Sequence, residues 1–155
     1  MKLSRLLSPE RIRIPLVAGS KDDALRELVS LLPNHAREAA DGILAAVLDR
    51  ESRMSTGIGL GVAIPHGKTE LVSGMEMALG VAPAPIEYNA LDGDPVDLFF
   101  LLVSPPEMTG PHIKVLAQIS RMLSADGFRD ELARAGTADA ILALLRREEA
   151  EQPEE

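Results

Sequence analysis

The chain has 155 residues, 46% of them hydrophobic, which fits one globular domain with a single sizeable core. Aromatic residues make up 3%, there is no Trp, and the net charge of −8 comes with no Lys/Arg run. That excludes stacking platforms for single-stranded nucleic acid and argues against a phosphate-backbone partner. No cysteine is present, so there is no disulfide framework, thiol nucleophile or thiolate metal site. No apolar run approaches the length needed to span a bilayer, and the N-terminus lacks a signal-peptide core, so a cytoplasmic protein with no membrane insertion is expected.

In chain order, residues 11–16 alternate as a short strand. Ser20 can cap a helix, with Asp22 and Asp23 in its positive first turn. Leu25, Leu28, Val29 and Leu32 form one face of that helix, which Pro33 should stop. Asn34 can cap a second helix with a face of Ala40, Ile43, Leu44, Val47 and Leu48, ending near Arg50. His35, in its first turn, reads as a surface residue. A Gly-rich segment covers residues 55–68, and residues 75–82 read as a strand interrupted by Pro83 and Pro85. Residues 90–95 (ALDGDP) have turn chemistry. Residues 96–103 (VDLFFLLV) are an almost unbroken apolar run of strand length, as expected of a strand covered on both faces.

After a loop at 104–110, Pro111 is suited to the first position of a helix with a stripe of Leu116, Ile119 and Leu123. Helices are expected at 126–134 and 137–147, the latter packing through Ile141, Leu142 and Leu145. The last ten residues hold five Glu against two Arg, and residues 148–155 read as an acidic, disordered tail beyond a domain of residues 1–147. Alternating strands and helices define an α/β fold around a central sheet.

The segment GIGLGVAIPHGKTE at 57–70 poses the functional question. A P-loop needs four residues between its glycines, but five separate Gly61 from Gly67, and no helix opens after Thr69. The dinucleotide fingerprint fails too, because Val62 occupies its third glycine position and the segment follows a helix. Neither His-x-x-x-His nor His-x-x-Glu-His spacing occurs, and no Gly-x-Ser-x-Gly elbow, so no metal, cofactor or serine-hydrolase site is expected.

What is left is His66, approached through Pro65 and followed by Gly67, which leaves one side of the ring bare. His112 would be the second residue of its helix, where first-turn amides favour an anion, although alone it reads as a partly exposed helix-start side chain. A neutral imidazole can carry a phosphoryl group if its nitrogen is open and donors neutralise the phosphoryl oxygens. Glycine amides, the His112 helix start and Arg50 form such a set.

Residues 48–51 (LDRE) followed by 55–68 (STGIGLGVAIPHGK) resemble the active-site signature of the fructose/mannitol-type (type-2) enzyme IIA domains of the bacterial phosphoenolpyruvate-dependent phosphotransferase system. The likeness extends to LLSPE at 6–10, KDDALREL at 21–28, DPVDL at 94–98 and PHIKVL at 111–116, covering nearly the whole chain. The resemblance implies an α/β fold with a mixed central sheet flanked by helices. It implies that His66 is phosphorylated, at Nε2, by a histidine of a small phosphocarrier protein, HPr or its nitrogen-branch paralogue NPr. His112 would lie beside the phosphohistidine, and Arg50 would hold the phosphoryl group or meet the partner. Leu60 departs from the pattern, since many relatives carry Asn there, which puts a side-chain hydrogen bond from that position in doubt. Of two branches, the free-standing nitrogen-regulatory type is the better match. The sugar-uptake type, which hands phosphate to a IIB domain, and a module that binds proteins without phosphorylation stand as alternatives.

Overall fold

The computed structural model describes residues 2–33 and 37–151, with the side chain of Arg37 excepted. Its centre is the apolar run singled out above. Strand β6 (Val96–Ser104) alternates Phe99, Leu101 and Val103 on one face with Leu98, Phe100 and Leu102 on the other, all buried. Because successive side chains point to opposite faces, an unbroken apolar run here means a layer on each side. One layer is α1 (Lys21–Ser30) and α2 (Arg37–Arg53), contributing Leu25, Leu28, Ile43, Leu44 and Val47. The other is α3 (Thr109–Leu123), α4 (Phe128–Arg134) and α5 (Ala138–Glu151), contributing Val115, Ile119, Met122, Phe128, Leu132, Ile141 and Leu145.

The sheet is mixed, with order β1-β5-β6-β3-β2 among the described residues. Strand β5 (Glu76–Ile86) runs antiparallel to β6 on one side, and β1 (Ile12–Arg13) pairs parallel to β5 at Leu79 and Gly80. On its other side β6 is lined in parallel by two short strands in succession. Strand β3 (Val62–Ala63) meets Leu98 and Phe99, and β4 (His66–Lys68) meets Leu102, Val103 and Ser104. The gap between them is bridged where the Leu102 amide donates to the Pro65 carbonyl at 3.0 Å. Strand β2 (Gly57–Gly59) folds back antiparallel on β3, closing the Gly-rich segment into a hairpin.

Several local expectations hold in detail. The Ser20 hydroxyl accepts from the Asp23 amide at 3.3 Å, capping α1. The α1 helix ends at Ser30, however, so Leu32, read as part of its face, lies beyond the helix although it is buried in the same core. Asn34 and His35 lie outside the described residues.

Other expectations are corrected. Strand β5 passes through Pro83 and Pro85 instead of stopping: pairing with β6 shifts register between Val81 and Ile86, so the missing N–H groups of the exposed prolines interrupt no ladder. Strand β1 is two residues long; a 3₁₀ turn, Pro9–Arg11, precedes it, and beyond Pro15 only the Leu16 amide rejoins the sheet, on Val81 O at 2.9 Å. Helix α3 starts at Thr109, after a 3₁₀ turn at Pro106–Met108, so Pro111 is its third residue and His112 its fourth. Helix α4 starts at Phe128, after Gly127 in the left-handed region (φ 77°). Helix α5 continues to Glu151, with Glu148 buried and Glu149 Oε1 accepting from the Ser4 amide at 3.3 Å. The last four residues are outside the described set.

Candidate functional site

The C-terminal end of α2, strand β4 and the start of α3 converge on a cleft of about 370 Å³. Its lining includes Arg50 and Arg53 from α2, His66 and Lys68 from β4, and His112 from α3. All three sequence-predicted site residues therefore meet in one place. Gly67 explains how α2 gets there. A Cβ at this position would stand 3.3 Å from the main chain of Ala46 and Val47, so the absent side chain lets the helix lie directly on the strand. The sequence had suggested that Gly67 leaves the imidazole bare; its role is to admit the helix that carries Arg50.

His66 is half-buried, and its Nδ1 lies 2.8 Å from the carbonyl oxygen of Ile64. A carbonyl only accepts, so Nδ1 carries the proton and Nε2 of the neutral ring keeps its lone pair. Burial, chiefly, pushes the His66 pKa below its ordinary value. The positive charges of Arg50 and Lys68 act in the same direction, while the Ile64 carbonyl and Glu51 oppose them. The outcome is an uncharged imidazole with a nucleophilic Nε2 among fixed cations.

His112 stands edge-on to His66, with ring centroids 5.4 Å apart and planes at 63°. It is 1% exposed rather than partly exposed as its sequence position suggested, because the helix begins two residues earlier and turns it inward. As the fourth helical residue its amide joins the intrahelical ladder, so the ring, not the main chain, is what His112 offers the cleft. Its Nδ1 is 2.6 Å from Ser104 Oγ, and its Nε2 is buried without a hydrogen-bond partner among the described residues. Burial first, then the nearby His66 and Lys68, lower its pKa to about 4.

Arg50 Nη1 donates to the Met54 carbonyl at 2.8 Å, which steadies the guanidinium at the helix end. The next residue is one the sequence reading missed. Glu51 is buried and accepts from the Thr56 amide (2.8 Å), the Thr56 hydroxyl and the Tyr88 hydroxyl (3.0 Å), and pairs with Lys21 Nζ (3.0 Å). Lys21 also lies over the Tyr88 ring, 4.4 Å from its centre. Burial works to raise the Glu51 pKa, but the hydrogen bonds from Thr56 and Lys21 prevail and leave it below the ordinary carboxylate value. Hydrogen bonding continues the chain of contacts, from Ile64 N to Thr56 O at 3.0 Å and from the His66 side chain, through Nδ1, to Ile64 O. The carboxylate thus anchors both the α2 end and the segment that orients His66. Its position beside Arg50 was the only sequence signal.

At the hairpin tip Leu60 has φ 59° between Gly59 (98°) and Gly61 (79°), and the residue is 69% exposed. The hydrogen bond at this position is made by the main chain: Leu60 N donates to Asp92 Oδ2 at 3.2 Å. The tip is therefore held without an Asn side chain. Among the described residues, no three side chains of metal-ligating type come together, and no helix is long and apolar enough to cross a membrane.

The sequence and the fold that carry this site have counterparts among known proteins. Residues 5–148 match the family described as phosphoenolpyruvate-dependent sugar phosphotransferase system, EIIA 2, and the chain belongs to that family. It is 35% identical over 146 residues to the nitrogen regulatory protein of Pseudomonas aeruginosa, covering 94% of this chain and 95% of that one. It is 32% identical over 146 residues to the fructose-specific EIIABC component of Bacillus subtilis; there 94% of this chain matches but only 23% of the relative is spanned. Among solved structures, nitrogen regulatory protein IIA-Ntr from Neisseria meningitidis superposes with a TM-score of 0.84 at 31% identity, covering 92% of this chain and 98% of that one.

Proposed function

We propose that the protein is a phosphocarrier of the phosphotransferase system, acting in the cytoplasm as a nitrogen-regulatory IIA protein. His66 Nε2 takes a phosphoryl group from the histidine of an HPr- or NPr-type carrier. One observation carries this reading: the Ile64 carbonyl ties up His66 Nδ1 and leaves Nε2 as a free base in a cleft lined by Arg50, Arg53 and Lys68.

The transfer follows from this geometry. The Nε2 lone pair forms a new N–P bond as the donor's N–P bond breaks, and that electron pair returns to the donor's ring nitrogen. No water, metal or redox partner enters the balance. The acquired positive charge on the His66 ring sits on Nδ1–H, where the Ile64 carbonyl stabilises it. Arg50, with donors beyond the one given to Met54, and Lys68 stabilise the charge spread over the phosphoryl oxygens. The carrier histidine must approach from outside, which the open cleft permits.

The nitrogen-regulatory assignment draws on the two nitrogen regulatory relatives, which this chain matches over nearly their whole length. The similarity to a fructose-specific component keeps a second reading in view, in which the chain is a stand-alone sugar-specific IIA that passes the group to a IIB domain. Incubation with phosphoenolpyruvate, enzyme I and either NPr or HPr separates them. Faster labelling from NPr, by intact mass, supports the regulatory branch; faster labelling from HPr with onward transfer to a IIB domain supports sugar uptake. No labelling from either carrier, with a His66→Ala variant fully active in cells, would leave a purely protein-binding module.

A further inference from the structure

His112 sets a proton-placement problem. Its Nδ1 has one neighbour, Ser104 Oγ at 2.6 Å, and its buried Nε2 has none among the described residues. Ser104 is the last residue of β6, is 0% exposed, and its hydroxyl makes no other hydrogen bond among those residues. A hydroxyl both donates and accepts, so two arrangements are open. If Nδ1–H donates to Ser104, the serine proton lacks an acceptor and the Nε2 lone pair lacks a donor, which leaves two buried groups unsatisfied. If Ser104 donates to Nδ1, both of those are resolved and only Nε2–H is left over. Each unsatisfied buried group carries its full desolvation penalty, so the second arrangement is favoured.

We infer that Ser104 is a positioning residue that donates to His112 Nδ1 and so keeps the proton on Nε2, presenting an N–H donor to a phosphoryl group carried by His66. This rests on the reading of His66 as phosphoryl acceptor. The opposite tautomer would turn a lone pair toward anionic oxygens and repel them. The geometry links the two rings through the main chain as well. Ser104 is the register partner of Lys68, two residues after His66, and its carbonyl accepts from the Thr69 amide at 3.0 Å. The strand end that sets the His112 tautomer is thus fixed to the strand that carries the nucleophile. The leftover Nε2–H acquires its acceptor only when the phosphoryl group arrives, so the bond forms in the phosphorylated state alone.

Long-range ¹H–¹⁵N spectra of histidine-labelled, unphosphorylated protein read the tautomer without any phosphate. Wild-type His112 is expected to carry its proton on Nε2. Ser104→Ala should move the population toward Nδ1–H, and Ser104→Thr, which keeps the hydroxyl, should restore it. In the phosphorylated protein, Ser104→Ala should shorten the phosphohistidine half-life roughly tenfold through loss of a charge-assisted hydrogen bond, with Ser104→Thr close to wild type. An Nδ1–H tautomer in wild type would overturn the inference, and that measurement needs no variant to fold. An unchanged tautomer, or an unchanged half-life, in a folded Ser104→Ala protein would overturn it too. Failure of His66 to accept phosphate would show in the mass assay instead, so the two readings fail separately.

Discussion

A histidine held neutral by burial makes the fold sensitive to acid, and His112 allows the effect to be worked through. Its pKa falls from 6.5 to about 4 because the ring is enclosed and faces His66 and Lys68. The unfolded chain therefore binds a proton that the folded chain refuses between these two values. Stability attributable to His112 is intact above about pH 6.5 and is lost as pH falls toward 4. Each tenfold change in proton affinity is worth about 1.4 kcal/mol, so the full penalty is about 3 kcal/mol, most of it incurred by about pH 4.5. The assay is urea unfolding of wild type and His112→Gln at about pH 7.5 and about pH 4.5. His66 titrates in both proteins and cancels to first order. Wild type should lose roughly 2–3 kcal/mol more than the variant over this interval. An equal loss in both, or an NMR titration of His112 centred near 6.5, would refute the reasoning that burial keeps this ring uncharged.

Arg50→Ala should slow phosphoryl transfer to His66 by roughly 100-fold with little effect on the melting temperature, since a preorganised donor at the transferring group is worth about 3 kcal/mol; single-turnover labelling by intact mass would measure it. Gly67→Ala should destabilise by about 1–3 kcal/mol in chemical denaturation, because the new methyl meets α2 main chain that cannot move independently of the core. Leu60→Gly should stabilise by about 1 kcal/mol by relieving the left-handed backbone of a branched residue, and the same unfolding assay would detect it.

The parts of the fold legible in the sequence were those governed by local periodicity or local chemistry. The run at 96–103 read as a doubly covered strand, and β6 alternates its side chains between two helical layers. Ser20 read as a cap and is one. The misread boundaries were set by pairing with a distant strand or by a turn that hydrophobic periodicity does not reveal. Pro83 and Pro85 look like breakers until β6 is seen to drop its register beside them, and the early start of α3 depends on the 3₁₀ turn that precedes it. At the site, the convergence of Arg50, His66 and His112 was anticipated from motif likeness, whereas the reasons for their placement were not. Nothing in the order of residues 104 and 112 says that their side chains touch. The Glu51 cluster joins Lys21, Thr56 and Tyr88 from three separate segments, and only the packed structure brings a carboxylate and its donors together. Gly67 was read for the ring beside it, and its contact with Ala46 and Val47 depends on tertiary packing.

Phosphoryl transfer at this site requires His66 to donate through Nδ1 to Ile64 and to react through Nε2. Its most direct test is a ¹⁵N-histidine spectrum of the protein phosphorylated by phosphoenolpyruvate, enzyme I and a carrier protein, in which coupling to phosphorus identifies the bonded nitrogen. The expected result is a single phosphorus-coupled resonance at Nε2 of His66, absent from His66→Ala. Coupling at Nδ1, or a phosphoryl group on another residue, would contradict it.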